Sequence, residues 1–455
     1  MECACYFAGK VSAIGLTPPR SDRKCEELTL LGTSNRGDSQ LTEIHHETEA
    51  ERMAKRKIGV WLIGAWGGVA TTVVVGLCAL RKGISDTTGL VSALPPFAGL
   101  DLAQWDELVV GGHEIRETSY SAEAQVLLEQ SKVFNPQMLS SIASQLAKFD
   151  KHVRPGTLVN VGAKIDSLAG PAAAKTRKET AAQAVARLAK DISEFKTREK
   201  LERVIVVNVS STEPPPPEEV RSWKWADVQK SLSAKAPSPL PASTIYAIAA
   251  MQSGCPFVNF TPSIGSDLPG LDEYARQQNV VHVGRDGKTG ETLMKAVLAP
   301  MFAARNLKVM SWVGHNIFGN LDGKVLDDPI NKANKVKSKD HLLTEILGYK
   351  PQTLVSIEYI ESLGDWKTAW DHIHYQGFLG TPMVLQFIWQ GCDSLLAAPL
   401  VIDLIRLTER EARRGTSGLM PHLASFFKSP MGNDEPAFAY QFQQLMQWVE
   451  QVSHE

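Results

Sequence analysis

Excess charge of one sign is missing from this chain: 48 lysines and arginines meet 50 aspartates and glutamates, a formal net charge of −2. A nucleic-acid or anionic-membrane surface needs a basic excess, and neither footprint is present. Paired cysteine is missing too. Cys3, Cys5, Cys25, Cys78, Cys255 and Cys392 have no disulfide or zinc spacing, and they read as reduced thiols of a cytosolic protein. The start, Met1-Glu2, lacks a basic segment followed by an apolar run, so no secretory signal is predicted. No internal repeat is found. With 43% hydrophobic residues, 34 glycines and 25 prolines, the remaining description is an ordinary globular protein of two or three structural units.

One long uncharged run is present, Ile58 to Leu80, flanked by Lys55-Arg56-Lys57 and Arg81-Lys82. By length it is a membrane-span candidate, and Gly64 and Gly68 form G-x-x-x-G. Its glycines and threonines nevertheless divide it into a β-branched half, Ile58–Ile63, and a helical half, Thr71–Leu80. Strand, glycine turn and helix is the soluble reading.

Residues 1–52 are polar, contain Pro18-Pro19 and show no sustained period, so they are predicted to be a disordered tail. Beyond them strands and helices alternate: a helix over Thr180–Lys200, a strand over Val204–Val209, a proline-broken loop at Pro214–Pro217, a helix over Ser243–Ser253, and strands at Phe257–Phe260 and Val280–Val283. That order implies a doubly wound parallel sheet. After about Met294 the segments Lys308–Val313, Thr353–Tyr359 and Met383–Trp389 partly alternate, which suggests a second, antiparallel or mixed sheet before a long helix at Ser394–Arg410.

Gly64-Ala65-Trp66-Gly67-Gly68 stands between the first strand and the first helix. Glycine lets backbone approach a pyrophosphate, and the helix N-terminus supplies free N–H groups. The spacing G-x-G-x-x-G is not met, so the turn alone suits equally a tight connection that binds nothing. Further on, a helix over roughly 331–347 would place Lys335, Lys339, Leu342 and Ile346 on one stripe. Burial of the two apolar members brings both lysines inward, where mutual repulsion and desolvation lower an ammonium pKa toward values useful for proton transfer. A solvated basic face with snorkelling stems fits the same spacing.

From Gly64 to Thr72 the chain resembles the glycine-rich NAD loop of the myo-inositol-1-phosphate synthase family, with Val69, Ala70 and Thr71 where two asparagines and a glycine are usual. Glu107–Ile115 is similar to the segment whose acidic residue holds the adenosine ribose, with Glu114 for the usual Asp; Ser210-Ser211-Thr212-Glu213 matches a loop along the cofactor. Asp286-Gly287-Lys288-Thr289-Gly290-Glu291-Thr292 and Asn316–Gly323 match two further signatures, with Glu291 replacing Gln and Leu321 replacing Asn. Lys335 and Lys339, Gly364-Asp365-Trp366-Lys367, Cys392–Pro399 and Phe427-Lys428-Ser429-Pro430 also fall in register, and the likeness spans about residues 57–430.

The resemblance implies a Rossmann-like α/β fold: an NAD-binding domain at 57–294, an inserted α/β catalytic and tetramerisation domain at 295–392, and a return to the first domain at 393–455. It implies a cytoplasmic homotetramer, with no membrane or nucleic-acid partner. NAD would be held by Gly64, Trp66, Gly67, Gly68, Val69, Ala70, Glu114, Ser211, Thr212, Asp365 and Asp393. The sugar phosphate would meet Thr289, Gly290, Glu291, Thr292, Asn316 and Asn320, with the Glu291 carboxylate turned away from the phosphate. Lys335, Lys339, Lys367, Lys428, Asp286 and Asp322 would carry the chemistry. The implied reaction turns glucose 6-phosphate into an inositol monophosphate by oxidation at C5, aldol closure and re-reduction. A dehydrogenase or cyclase acting on another sugar phosphate, and a non-catalytic NAD-binding protein, remain open beside it. The lone histidines, His315 and His372, read as structural.

Overall fold

The computed structural model describes residues 56–320, 323 and 342–454. Residues 1–52, with Asp322, Lys335 and Lys339 of the expected site, lie outside the described residues. Ile58 to Leu80 resolves into strand β1 (Ile58–Ile63) and helix α1 (Gly68–Arg81). Among the described residues no helix is long and apolar enough to cross a membrane.

Seven strands form a parallel sheet: β1, β2 (Leu108–Glu114), β3 (Val153–Pro155), β4 (Arg203–Asn208), β5 (Phe257–Asn259), β6 (Val281–Gly284) and β11 (Gly418–Leu419). Their order is β11-β6-β5-β4-β1-β2-β3, so the winding direction reverses between β1 and β4. Ligands of such sheets bind at that reversal, outside the carboxyl ends of the strands.

Strand alternation explains the two apolar layers. Val60, Leu62, Ile205 and Val207 face one core with α1, α2 (Tyr120–Ser131) and α3 (Pro136–Asp150). Trp61, Ile63, Val204 and Val206 face the other, with α4 (Ala181–Glu199) and α5 (Ala242–Gln252). Helix α4 starts where the sequence places it: Thr180 Oγ1 accepts the Gln183 N–H at 3.2 Å, and the Gln183 side chain returns a bond to Thr180 at 2.9 Å.

Helix α6 (Gly290–Ala304) leads out to a four-stranded sheet of order β10-β9-β7-β8. Its strands are β7 (Lys308–Phe318), β8 (Gln352–Tyr359), β9 (Trp366–Gln376) and β10 (Pro382–Cys392). The sheet is mixed, because β8 pairs parallel with β7 while β9 and β10 run antiparallel. Helix α7 (Asp393–Arg413) returns to the first core, and α8 (Phe438–Ser453) closes it. Residues 342–347 are helical, but the expected stripe is rotated. Leu343 is the fully buried residue, against Phe302 and Trp312, while Ile346 packs beside it and Leu342 faces a cavity.

Candidate active site

The turn after β1 is built for an anion. Gly64 takes φ +80, and its N–H and that of Ala65 both donate to the His113 carbonyl. Gly67 precedes α1 with no side-chain cap and no acidic residue in the first turn, so the first N–H groups of α1 stay open. At Gly68 an added Cβ would stand 2.8 Å from Ser394 Oγ, which shows how narrow the cradle is.

This turn borders a cavity of about 770 Å³. Gly64, Gly67, Gly68, Val69, Glu114, Ser211 and Thr212 line it, together with Asp286, Thr289, Asn320, Asp365, Lys367, Asp393 and Lys428. A second cavity, of about 510 Å³, shares Thr212, Glu213, Pro262, Asp286 and Lys428 with the first and adds Thr292, Lys288 and Leu342. Thr212 Oγ1 and Glu213 Oε2 are buried on these walls without a protein partner, as suits a ligand carrying hydroxyl and amide groups. Residues present in the groove therefore fit a dinucleotide.

Lys428 and Asp286 are distant in sequence but strapped together. Arg285 and Ser429 exchange backbone bonds, Lys428 N–H donates to the Asp286 carbonyl at 2.6 Å, and Lys288 N–H donates to the Phe426 carbonyl at 2.8 Å. Asp286, at φ +62, accepts the Lys428 ammonium at 2.9 Å. Lys367 stands 3.8 Å from Asp393 and over the Phe318 ring at 5.2 Å. Asp365 is the buried hinge of this region: it accepts from Ser394 N–H and the Cys392 thiol, each at 2.8 Å, and from Asn320 at 3.2 Å. Burial pushes its carboxyl above the usual range.

Several expected contacts take other places. Ala70 is buried inside α1, and Trp66 turns its ring N–H to Asp150 at 2.8 Å instead of into the groove. Asn316, 1% exposed, donates to Glu291 at 2.6 Å and lines neither of the two cavities. Glu291 is turned inward, its carboxylate 2.7 Å from the Lys295 ammonium. Gly290 opens α6 with φ +62 behind the uncapped Thr289.

Glu114 reaches the groove, but its carboxylate already accepts Trp66 N–H at 2.9 Å, Ile115 N–H at 2.8 Å and Arg116 N–H at 3.1 Å, with the Arg116 guanidinium at 3.4 Å. A carboxylate offers about four acceptor positions. Its first duty is therefore to tie the glycine turn to the end of β2. Arg116, the cation beside Glu114 on the groove wall, is shared between Glu114 at 3.4 Å and Glu123 at 3.3 Å. NAD should consequently bind at least ~10-fold more tightly than NADP, since the extra dianion would meet paired charge and a carboxylate. Calorimetry giving NADP the tighter binding would reverse this assignment.

Two wall residues, Lys288 and Glu213, lie inside matched segments without an individual role assigned from sequence. Lys288 is 4% exposed, bonds to the Gln441 side-chain carbonyl and lies 5.9 Å from the Phe438 ring; burial lowers its ammonium to about 7. Glu213 is 8% exposed, and burial raises its carboxyl to about 7. Their nearness to Thr289 and to the end of β4 was the available signal.

A family model described as myo-inositol-1-phosphate synthase matches residues 58–452. Inositol-3-phosphate synthase 1 of Bacteroides thetaiotaomicron is 33% identical over 409 residues, covering 84% of this chain and 91% of the relative. Among solved structures, an inositol-3-phosphate synthase from Caenorhabditis elegans aligns with a TM-score of 0.78 at 22% identity, covering 88% of this chain and 86% of its own. A myo-inositol-1-phosphate synthase-related protein from Thermotoga maritima aligns with a TM-score of 0.70 at 24% identity, covering 87% and 99%.

Proposed function

The chain belongs to the myo-inositol-1-phosphate synthase family, which binds NAD, and from that premise we propose that it converts glucose 6-phosphate to 1D-myo-inositol 3-phosphate. The observation that carries the reading is the seam between the two cavities, where the Lys428–Asp286 pair lines both the groove that borders the glycine turn and the smaller cavity. Bound NAD supplies a reversible hydride acceptor.

The chain's own residues supply the remaining needs. Asp286 fixes the Lys428 ammonium, which is placed to meet negative charge developing on the substrate's C1 oxygen during ring closure. Lys367, held toward Asp393, serves the phosphate and the enolate together with Lys339. Lys335, with Asp286, takes the C5 hydroxyl proton, and Asp322 completes the set by resemblance. The open N-terminus of α6, with Thr289 before it and Thr292 in its first turn, suits the substrate phosphate, because the Glu291 carboxylate is neutralised by Lys295 and held by a hydrogen bond from Asn316.

In this reading residues 57–294 and 393–455 form the cofactor domain and 295–392 the inserted catalytic and oligomerisation domain. A homotetramer is supported by the open face of the four-stranded sheet, where Leu354, Trp370, Val384 and Ile388 are exposed, Ile388 by 69%. The resemblance adds a cytoplasmic site of action and a supply of inositol for phospholipid synthesis.

With glucose 6-phosphate and NAD at a small fraction of the substrate, the protein should make many equivalents of inositol phosphate per NAD and release no NADH. NADH accumulating in step with product would make it a dehydrogenase. NAD binding without turnover of the sugar phosphate would make it a non-catalytic binder.

A further inference from the structure

Glu213 lies on the wall shared by both cavities, in the loop that leaves the C-terminal end of β4. That loop is held by a buried polar network: Asn208 donates to Asn259 at 3.1 Å, and Glu213 N–H donates to Ser263 Oγ at 3.0 Å. One Glu213 carboxyl oxygen accepts the Ser243 N–H in the first turn of α5 at 2.8 Å. The other, Oε2, is buried and has no protein donor. An orphaned buried oxygen is costly, and on a cavity wall a ligand is what can meet it.

The ionisable groups around it are Tyr246 from α5, and Asp286 and Lys428 across the seam, already paired with each other. Arg221 and Arg285 stand further round the smaller cavity, each paired with a carboxylate of its own, Glu218 and Asp267. The largest influence on Glu213 is therefore desolvation, which brings its titration to about 7.

A dinucleotide at the reversal of a doubly wound sheet has its pyrophosphate on the β1 turn and extends its second half past β4. That half carries the nicotinamide, whose ring is positively charged when oxidised and neutral when reduced. We infer that Glu213 is the charge-compensating residue of the cofactor site, an anion opposite oxidised NAD and a neutral acid opposite NADH. The inference rests on the proposed placement of NAD in the larger cavity.

The balance closes. Oxidation of a secondary alcohol removes a hydride, which carries two electrons to the nicotinamide, and frees the hydroxyl proton. Lys335, which receives that proton first, passes it on through solvent, and Glu213 takes up one proton as the ring loses its charge, so the pair goes from +1 and −1 to neutral and neutral. When the hydride returns to the sugar, the carboxyl releases the proton. A reaction that oxidises and then re-reduces the same substrate needs such a store, because the proton must be at hand for the return.

The test is binding, without turnover. NAD and NADH are titrated separately by calorimetry from about pH 6.5 to about pH 8.5, spanning the Glu213 titration. Rising pH leaves the carboxylate ionised and attracts the cationic ring, so the ratio of the NADH Kd to the NAD Kd should rise at least ~10-fold across the range. Glu213→Gln keeps an oxygen for the Ser243 N–H, and its ratio should stay flat. Wild-type protein in two buffers of different ionisation enthalpy gives a second measure: NADH binding near neutrality should take up more protons than NAD binding. Parallel pH curves or equal proton counts in the wild type, or an unchanged slope in Glu213→Gln, would overturn the assignment while leaving NAD in its groove. Failure of both nucleotides to bind would remove the placement itself, and the inference with it.

Discussion

Lys428→Met lowers kcat by at least ~100-fold, the usual scale for losing a positioned charge or proton-transfer group, while NAD affinity changes little. Methionine keeps most of the stem that fills the seam but has no donor for Asp286, whose carboxylate is 2.9 Å from the ammonium in the native protein. The backbone strap of residues 284–288 against 426–431 does not depend on that side chain, so the cavity walls persist. Loss of this ion pair at a largely buried carboxylate should lower the unfolding temperature alongside the kinetic defect. Steady-state kinetics, NAD calorimetry and thermal unfolding separate loss of chemistry from loss of fold. A kcat within a few-fold of wild type would remove Lys428 from the proposed chemistry.

The second large effect is expected at Gly64. Its φ of +80 is a region that side chains avoid, and a Cβ there would stand 2.8 Å from the Ser210 Cα. The strain alone costs about 1–2 kcal/mol. Backbone cannot rotate away as a side chain would, so either the turn after β1 or the loop after β4 must move, and both are walls of the NAD groove. Gly64→Val should weaken NAD binding by ~100-fold or more and lower the unfolding temperature by several degrees. Gly83→Ala is the matched control: its φ is +64, yet nothing lies within 4 Å of an added Cβ. It should cost a little stability and leave NAD binding intact. Equal losses in the two variants would mean that backbone strain, not closure of the groove, governs the first.

The sheet and its helices were readable because their signals are local. Val204–Val209 is an apolar run, Thr180–Lys200 is a long amphipathic stretch, and the glycines after Ile63 mark a turn. Lys367, Lys428, Asp286 and Asp393 were placed by resemblance and do meet around joined cavities, although their roles are set by chemistry that no single position displays. What pattern could not supply was depth. Asn316 opens a signature at the end of β7, yet its amide nitrogen is taken by Glu291, which sits in another element. Glu114 was read as a ligand for ribose, and only three-dimensional geometry shows Trp66, Ile115 and Arg116 filling its oxygens. Lys288 and Glu213 fall inside matched segments but received no role of their own for the same reason: what shifts their titration is desolvation contributed by residues far along the chain. The parallel pairing of β8 with β7 was equally hidden, since alternation reveals a half-buried strand but not the direction of its neighbour.

The return of α7 to the first core has a consequence for how the protein is made. Asp403 accepts the N–H groups of Val91 and Ser92 across 312 and 311 residues of chain. Val401, Leu404 and Ile405 of α7 complete the apolar layer begun by Val73, Val74 and Leu77 of α1. A ribosome adding about 5–20 residues per second reaches the second of these helices roughly 15–60 s after the first has emerged. Through that interval the nascent α1 shows water an apolar face whose permanent cover has not been translated. Holding chaperones should therefore engage the early chain and let go once the last quarter of the protein arrives.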